Sequence, residues 1–239
     1  IGGVASDSLT NIEGIKGSTN ASNNLVGNSQ DNTLIGGDLT DIIKGVSGNN
    51  SLNGGAGNDT IYAGTGSDTI DGGTGTDDWL DYTDLASTNV SVNLRNNTAT
   101  YGSSTDSITA IEHLKMGNGT NTVQGNSYAN SFIGGTGTDT LSYSEAASGV
   151  TVNVTSAGAG TSSGDGADVF TGFENYTLSS NADTANLSGV FGSTIDGGAL
   201  SDTASYSSVA TSLTVTVDSG NTSATVFDGT KTDTLKNIE

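Results

Sequence analysis

A nine-residue repeat is the feature that most constrains how this chain can fold. Between residues 25 and 79 an apolar residue occurs at every ninth position, seven times in succession. Only 32% of all residues are hydrophobic, so chance does not explain such a run. The seven positions are Leu25, Leu34, Ile43, Leu52, Ile61, Ile70 and Trp79. A fixed short period of this kind indicates a solenoid, in which each repeat is part of a stacked coil.

The best copies of the repeat, such as GGAGNDTIY at residues 54–62, place glycines first, then an aspartate, then the apolar residue. Glycines permit the loop, because successive residues there need backbone angles that a Cβ disfavours. The apolar residue is the centre of a three-residue strand and points inward. Two phrases make one coil, so residue i lies beside residue i+18, at a strand spacing of about 4.8 Å. We therefore expect all seven apolar residues, Trp79 included, to face the core.

This register stacks the sixth residue of each phrase along two edges of the solenoid. One edge carries Asn23, Asp41, Asp59 and Asp77, and the other carries Asn32, Asn50 and Asp68. Carboxylates stacked about 5 Å apart repel each other by roughly 3 kcal/mol at an effective dielectric constant of 20. A divalent cation between them makes the interaction favourable, and ligands that are all oxygen suit Ca²⁺.

The sequence predicts well-occupied calcium sites between Asp41 and Asp59 and between Asp59 and Asp77. The Asn-rich edge either binds calcium weakly or forms a ladder of side-chain amides that needs no metal. A plainer alternative is that Asp and Asn stand here only because they favour turns. The candidate metal ligands, carboxylates and loop residues together, are Asp41, Asp59, Asp77, Asp68, Asn50, Asp38, Gly36, Gly54, Ala56, Gly57, Gly72, Thr74, Asn121 and Asp139.

The phrases at residues 54–62 (GGAGNDTIY) and 134–142 (GGTGTDTLS), with the loop at 72–77 (GGTGTD), resemble the nonapeptide of the RTX, or repeats-in-toxin, family. The resemblance implies a parallel β-roll that binds Ca²⁺ in these loops. It also implies export by type I secretion into calcium-rich surroundings. Some loops depart from the pattern, since Leu39, Val46 and Ala63 replace glycines and Asn50 replaces the aspartate. Those loops match the family pattern least well.

A longer repeat encloses the short one. Tyrosines at Tyr82, Tyr143 and Tyr206 are each followed by a strand of alternating apolar residues, at 90–94, 150–154 and 213–217. Each unit is closed by a phrase of the type DSITAIE, at residues 106–112, 168–174 and 233–239, and a fourth copy occupies 7–13. The closing phrases of the last three copies follow one another at nearly equal intervals. The period of two in the alternating segments indicates strands rather than helices.

The two periods predict an all-β fold, a parallel β-solenoid of the calcium β-roll type with longer strand-containing units. We expect the end of one long repeat at 1–17, the calcium β-roll at 18–80, long repeats at 81–142 and 143–205, and part of another at 206–239. Within 81–142 degraded nonapeptides place Glu112, Asn121, Asn130 and Asp139 at the sixth position. The sequence does not show how the segments 83–105, 144–167 and 207–230 fold back.

Composition excludes several classes of function. The net charge is −20, which disfavours nucleic acid and anionic membrane surfaces as partners. No apolar run approaches the length of a membrane span, and without cysteine there is neither a disulfide nor a thiolate metal site. The chain starts without Met and both ends interrupt a long repeat, so we expect a piece of a longer array that stacks end to end with copies of itself or with neighbouring repeats.

No catalytic constellation is evident, and the chain is not expected to be an enzyme. His113 is the only histidine and Arg95 the only arginine. The favoured function is structural, in a secreted bacterial surface protein such as an extracellular fibre, adhesin stalk or surface layer that becomes rigid when Ca²⁺ binds. The alternative is a secretion and folding module of an exported enzyme or toxin whose catalytic domain lies elsewhere. Ice binding and sugar binding are further alternatives, and the irregular outward residues disfavour the first.

Overall fold

The computed structural model describes residues 12–220 and 222–238. The closing phrase at 7–13 lies mostly outside this range. The strands of the described residues, in chain order, are β1 (Gly14–Lys16), β2 (Asn24–Val26), β3 (Thr33–Gly37), β4 (Ile42–Lys44), β5 (Ser51–Ala56), β6 (Thr60–Tyr62), β7 (Thr69–Thr74), β8 (Trp79–Asp81), β9 (Ser91–Asn93), β10 (Thr98–Tyr101), β11 (Ser104–Thr109), β12 (His113–Lys115), β13 (Thr122–Gln124), β14 (Ser131–Ile133), β15 (Thr140–Ser142), β16 (Thr151–Ser156), β17 (Ala159–Ser163), β18 (Val169–Thr171), β19 (Asn175–Thr177), β20 (Thr184–Leu187), β21 (Thr194–Asp196), β22 (Thr203–Ser205), β23 (Thr214–Val217), β24 (Ser223–Phe227) and β25 (Thr232–Lys236). A 3₁₀ turn spans Thr83–Leu85.

The strands form two long sheets whose members alternate along the chain. One sheet runs in the order β1-β3-β5-β7-β11-β10-β9-β13-β15-β19-β21-β25-β24-β23. The other runs β2-β4-β6-β8-β12-β14-β18-β17-β16-β20-β22. Consecutive short strands therefore lie in opposite sheets, as expected of a solenoid with one strand per phrase. The prediction of an all-β parallel β-solenoid with longer strand-containing units is confirmed.

The predicted register, with two phrases in each coil, is present throughout the nonapeptide run except at its last step, and again further on. Leu34 is paired with Leu52, and Ile43 with Ile61, in parallel strands. The same spacing joins Val123 to Leu141. These central side chains are buried, and together with the inward residues of the other strands they form a single core cluster. Burial of one apolar side chain per phrase on each sheet is therefore what stacks the coils.

The register changes by one residue at the end of the nonapeptide run. Ile61 is paired with Leu80, not with Trp79, and Leu80 is fully buried. Trp79 is only half-buried and contacts the ring of His113 at a centroid distance of 4.8 Å. The prediction that Trp79 faces the core is wrong. The loop before β8 holds one more residue than the nonapeptide allows, so the side chain that points inward is the next one along.

Each long repeat contains a three-stranded antiparallel excursion within one sheet. In the first, β9 pairs with β10 and β10 with β11, all antiparallel. The outer strands of this excursion pair in parallel with ordinary coils, β11 with β7 and β9 with β13. The second excursion, β16–β18, is built the same way in the other sheet. These are the segments whose folding the sequence left undecided.

The described residues contain no helix that is long and apolar enough to cross a membrane.

Candidate metal centre

The sixth residue of each phrase ties its coil to the preceding one. Oδ1 of Asp59 accepts the backbone N–H of Asp41 at 2.7 Å, and Oδ1 of Asp78 accepts the N–H of Asp59 at 2.7 Å. The other edge has the same arrangement, since Oδ1 of Asp68 accepts the N–H of Asn50 at 2.6 Å. Each carboxylate thus satisfies the backbone N–H of the equivalent residue in the preceding coil, which would otherwise be a buried donor without a partner.

Asp77 does not belong to this ladder. Its side chain is 58% exposed and bonds to Nε2 of His113 at 3.1 Å. Asp78, which is 1% exposed, occupies the ladder position instead. The predicted stacking of Asp77 on Asp59 is therefore wrong, for the same reason as at Trp79: the extra residue of the loop moves the register by one. No signal in the nonapeptide itself distinguishes the two adjacent aspartates.

The second carboxylate oxygen of several ladder residues is buried without a hydrogen-bond partner among the described residues. This holds for Oδ2 of Asp59, Asp68, Asp78 and Asp139. Leaving a buried acceptor unsatisfied costs about 1–3 kcal/mol, and more when the group is charged. Four such atoms at equivalent positions of one repeat require a common explanation. A cation beside each carboxylate supplies one.

The electrostatics of these carboxyl groups agree with this explanation. Burial, with smaller contributions from the carboxylates of Asp78 and Asp41, raises the pKa of Asp59 to about 6, against the hydrogen bond from the Asp41 N–H. Burial likewise raises the pKa of Asp68 to about 6, with a contribution from Asp106. The pKa values of Asp78 and Asp139 are raised mainly by burial too. The charged forms are therefore disfavoured unless positive charge is nearby.

Oxygen atoms of the same loop and of the next coil approach the first glycine of the loops at Gly36 and Gly54 too closely to admit a side chain. A Cβ on Gly54 would lie 2.3 Å from Oδ2 of Asp59 and 2.3 Å from the carbonyl oxygen of Gly72 in the next coil. A Cβ on Gly36 would lie 2.4 Å from Oδ2 of Asp41 and 2.1 Å from the carbonyl oxygen of Gly54. Carboxylate and carbonyl oxygens are the ligands that Ca²⁺ takes in proteins. The oxygen atoms at these loops are therefore of the kind that calcium takes, and the assignment of Asp41 and Asp59 as its ligands stays a prediction.

Carboxylates alone do not build these sites. Within residues 12–220 and 222–238 no three His, Asp or Glu side chains come together as a metal-binding group. Any calcium ion here must take most of its ligands from backbone carbonyl oxygens and water. This requirement accounts for the glycines, since the carbonyl groups of successive coils approach each other only where side chains are absent.

The remaining predicted ligands lie around the same loops. Asn50 and Asn121 are buried ladder residues, and their amide groups donate to Oδ1 of Asp68 at 3.0 Å and of Asp139 at 2.9 Å. For the edge of Asn32, Asn50 and Asp68 the sequence predicted either weak calcium binding or a ladder of side-chain amides, and the Asn50 amide donates to the Asp68 carboxylate there. Ala56 and Thr74 are register partners at the ends of β5 and β7. Asp38 and Thr74 are exposed, Ala56 and Gly57 are half-buried, and Gly36, Gly54 and Gly72 are buried. Their assignment as calcium ligands stays a prediction.

A second kind of joint, which the sequence did not reveal, uses a tyrosine. The hydroxyl groups of Tyr82, Tyr143 and Tyr206 donate to Oδ2 of Asp106, Asp168 and Asp233 at 2.9, 2.8 and 2.9 Å. These three aspartates close the long repeats and also stand in the ladders, since Asp106 accepts the N–H of Asp68 and Asp168 that of Asn130. Their second oxygen is therefore satisfied by a phenol. The signal available in the sequence was the recurrence of both residues once per long unit.

The His113 ring forms hydrogen bonds through both of its nitrogen atoms. Its Nδ1 accepts the backbone N–H of Ser131 at 3.1 Å, so that Nε2 carries the proton donated to Asp77. Both ring nitrogens are thus used in contacts within the solenoid. Arg95 forms an ion pair with Asp165.

Comparison with known proteins identifies the family of the short repeats but finds no curated protein that is significantly similar to the chain in sequence. Among solved structures, the extracellular lipase LipA from Serratia marcescens aligns with 92% of this chain at 16% identity and a TM-score of 0.21. This chain spans 38% of the length of that lipase, and a TM-score this low supports no argument.

The family comparison matches the segments whose geometry is described above. The sequence profile of the RTX calcium-binding nonapeptide repeat (4 copies) matches residues 18–45, 44–78 and 117–145. These segments contain Asp59, Asp68, Asp78 and Asp139, the aspartates with the unpartnered buried oxygen. The chain therefore carries calcium-binding repeats of the RTX family at residues 18–78 and 117–145.

Proposed function

We propose that this chain is a structural, calcium-dependent β-solenoid segment of a secreted bacterial surface protein, such as an extracellular fibre, an adhesin stalk or a surface layer. The observation that carries the proposal is the set of buried carboxylate oxygens at Asp59, Asp68, Asp78 and Asp139, each without a hydrogen-bond partner among the described residues. A scaffold with this many buried charges is stable only with bound cations.

Calcium binding drives folding in this proposal. The chain carries 26 acidic residues against six basic ones, so the unfolded form repels itself and stays extended when no metal is present. Binding energy at a site that exists only in the folded state is folding energy. Affinities on the order of 10⁻⁴–10⁻³ M, as in other extracellular calcium modules, leave the sites empty inside a cell and fill them outside.

The same switch suits export to the cell surface. An unfolded chain can be exported, and it becomes rigid where calcium is abundant. The solenoid itself is not a catalyst in this proposal, because its buried polar groups hold coils together and its one histidine is used structurally. Rigid repeated coils serve as an extended spacer or lattice element, and end-to-end stacking with further copies makes such a spacer longer.

The test is a circular dichroism titration of the chain with CaCl₂ from an EDTA-treated start, with MgCl₂ as the metal control. We expect a cooperative gain of β-structure with Ca²⁺ and little with Mg²⁺, which prefers regular octahedral geometry and retains its water. Asp59→Asn keeps the acceptor for the Asp41 N–H and removes the charge, and should raise the calcium midpoint about tenfold or more. Asp84→Asn, at an exposed carboxylate, is the matched control. A chain that is fully β-structured in EDTA and indifferent to Ca²⁺ contradicts the proposal.

A further inference from the structure

A surface cleft lies beside the first antiparallel excursion. Its volume is about 390 Å³, and its walls come from the turn between β9 and β10, the segment that follows β11 and the loop between β13 and β14. Clefts of this size are large enough to hold a small molecule. None of the predicted calcium ligands, all of which lie within the described residues, lines this cleft. Its chemistry is therefore separate from that of the metal centre.

The cleft combines an apolar floor with an open aromatic ring. Leu94, Ile108 and Ile111 line it and are buried, so they form the floor. Tyr128 also lines the cleft, and at 73% it is the most exposed large hydrophobic side chain of the described residues. A ring that is this exposed contributes little to packing within the chain, and both of its faces can take an apolar ligand surface.

Hydrogen-bonding groups of both kinds surround the floor. Nη2 of Arg95 donates to Asp165, while Nε is buried without a hydrogen-bond partner among the described residues. One carboxylate oxygen of Glu112 accepts a backbone N–H, which leaves the other as an acceptor. Oδ1 of Asn126 accepts a backbone N–H of its own loop, which leaves the NH₂ group as a donor. The cleft therefore offers both donors and acceptors to a ligand.

The charges around the cleft disfavour an ionic ligand. The positive charge of Arg95 is balanced by Asp165, and Glu112 adds a negative charge in a chain whose net charge is −20. An anion is therefore repelled, and a cation meets the guanidinium group. A hydroxyl group is neutral and both donates and accepts hydrogen bonds, so it matches the mixed groups of this cleft.

The second long unit buries apolar side chains at the corresponding place. In its closing phrase Phe173 stands where the first unit has Ile111, and it is fully buried. In its loop between β20 and β21, which corresponds to the loop of Tyr128, Val190 is buried and Phe191 packs against the core. The first unit thus exposes an aromatic side chain where the second buries apolar ones. This difference favours a binding role for Tyr128 over a packing role.

We propose that this cleft binds a neutral sugar. The C–H face of one pyranose ring packs against Tyr128 and the apolar floor, and its hydroxyl groups bond to Arg95, Glu112 and Asn126. A sugar has an apolar face and a rim of hydroxyl groups, and the cleft presents the complement of both. This function goes beyond the proposed scaffold role, because it gives the segment a ligand of its own, and it requires only the folded solenoid.

Saturation-transfer difference NMR of the chain in CaCl₂ tests the proposal. The probes are glucose, galactose, mannose and N-acetylglucosamine, with glucuronate as the anionic comparison. We expect at least one neutral sugar to receive saturation at its ring C–H protons, with an affinity on the order of millimolar, as is usual for a ligand of this size. Glucuronate should receive little, because of the negative charge around the cleft.

Two variants at one position separate ring stacking from other contacts. Tyr128→Ala should weaken binding about tenfold or more, because it removes the aromatic anchor. Tyr128→Phe keeps the ring and should leave the affinity nearly unchanged. Phe227→Ala is the matched control, since it removes another exposed aromatic ring, on β24, which does not line the cleft. This control should bind like the wild type.

Two kinds of result overturn the proposal: no transfer to any neutral sugar, or equal transfer with wild type and Tyr128→Ala. Stronger transfer to glucuronate than to every neutral sugar overturns it as well. Circular dichroism separates this test from calcium-dependent folding, because Tyr128 is exposed and both of its variants should keep the calcium-induced gain of β-structure. A calcium-folded wild-type chain that binds no sugar overturns the cleft assignment alone. Loss of the dichroism transition in the wild type overturns the proposed function.

Discussion

The hydroxyl group of Tyr143 donates a hydrogen bond of 2.8 Å to Oδ2 of Asp168, whereas Oδ2 of Asp59, Asp68 and Asp78 is buried without a hydrogen-bond partner among the described residues. Oδ1 of Asp168 accepts the N–H of Asn130, as the ladder aspartates do. Ser162 adds a further hydrogen bond to Oδ2 at 3.0 Å. The described residues thus contain two kinds of coil junction, one in which a phenol satisfies the second carboxylate oxygen and one in which that oxygen has no hydrogen-bond partner.

We therefore expect Tyr143→Phe to destabilise the calcium-saturated solenoid, because the hydrogen bond from the phenol involves no metal. The change removes one donor from a fully buried carboxylate, whose pKa is already raised by burial, and should cost about 1–3 kcal/mol. Urea unfolding in CaCl₂ measures the loss. Tyr128→Phe, at a side chain that is 73% exposed, is the control and should be neutral. If Tyr143→Phe leaves the urea midpoint in saturating CaCl₂ unchanged, the hydrogen bond from the phenol does not stabilise the junction.

The register shift at the end of the nonapeptide run gives a prediction about two adjacent residues. Asp78→Asn should raise the calcium midpoint about tenfold or more, because it removes the charge of a buried carboxylate with an unpartnered oxygen. Asp77→Asn should change it little, since that side chain is 58% exposed. Calcium titrations followed by circular dichroism compare the two variants. The reverse order of effects would restore the register that the nonapeptide alone predicts.

These two adjacent aspartates also show how far the sequence could predict the site. The apolar period fixes the pairing of Leu34 with Leu52, because burial admits only one face of each strand. At residues 77–80 both Asp and apolar residues are doubled, so either register satisfies the pattern. The hydrogen bond from the Asp59 N–H to Asp78 and the pairing of Ile61 with Leu80 decide between them.

The pairing of strands that are far apart in the chain could not be predicted from the sequence, for a different reason. Alternation at 90–94 and 150–154 identified strands, yet a period of two does not say which strand is the neighbour. The pairing of β9 with β13 spans a whole excursion and depends on where the chain returns. The bond between Tyr82 and Asp106 follows from that return and could not be derived without it.

The raised carboxyl pKa values predict that acid replaces calcium in part. Asp59 and Asp68 have pKa values of about 6 in the folded chain without metal, against 3.8 for an ordinary aspartate. Since the folded state binds the protons more tightly, its stability without calcium is greatest below about pH 4 and is lost as the pH rises through 6. In EDTA we expect more β-structure at about pH 4.5 than at pH 7, by circular dichroism.

The same protonation should weaken calcium binding, because protons and Ca²⁺ compete for the same oxygens. The calcium midpoint should therefore rise as the pH falls from 7 to about 5. Asp59→Asn combined with Asp68→Asn should reduce the pH dependence seen in EDTA. A wild-type chain whose β-structure in EDTA falls on acidification from pH 7 would contradict this assignment of the carboxyl groups.

The last prediction concerns a loop that departs from the glycine pattern. Val46 has a φ of 72°, although glycines with φ values of 105° and 103° occupy the equivalent positions 55 and 73. A β-branched residue in the left-handed region is strained by roughly 1–2 kcal/mol. Val46 is 46% exposed, so replacing it sacrifices little buried surface.

Val46→Gly should therefore stabilise the chain by about 0.5–1 kcal/mol, the relief of strain being partly offset by the greater freedom of glycine in the unfolded state. Urea unfolding in saturating CaCl₂ measures the change without interference from metal affinity. Val26→Gly, in the strand β2 at a similar exposure of 52%, is the matched control and should destabilise. Destabilisation by Val46→Gly as well would mean that the valine side chain contributes packing that outweighs its backbone strain.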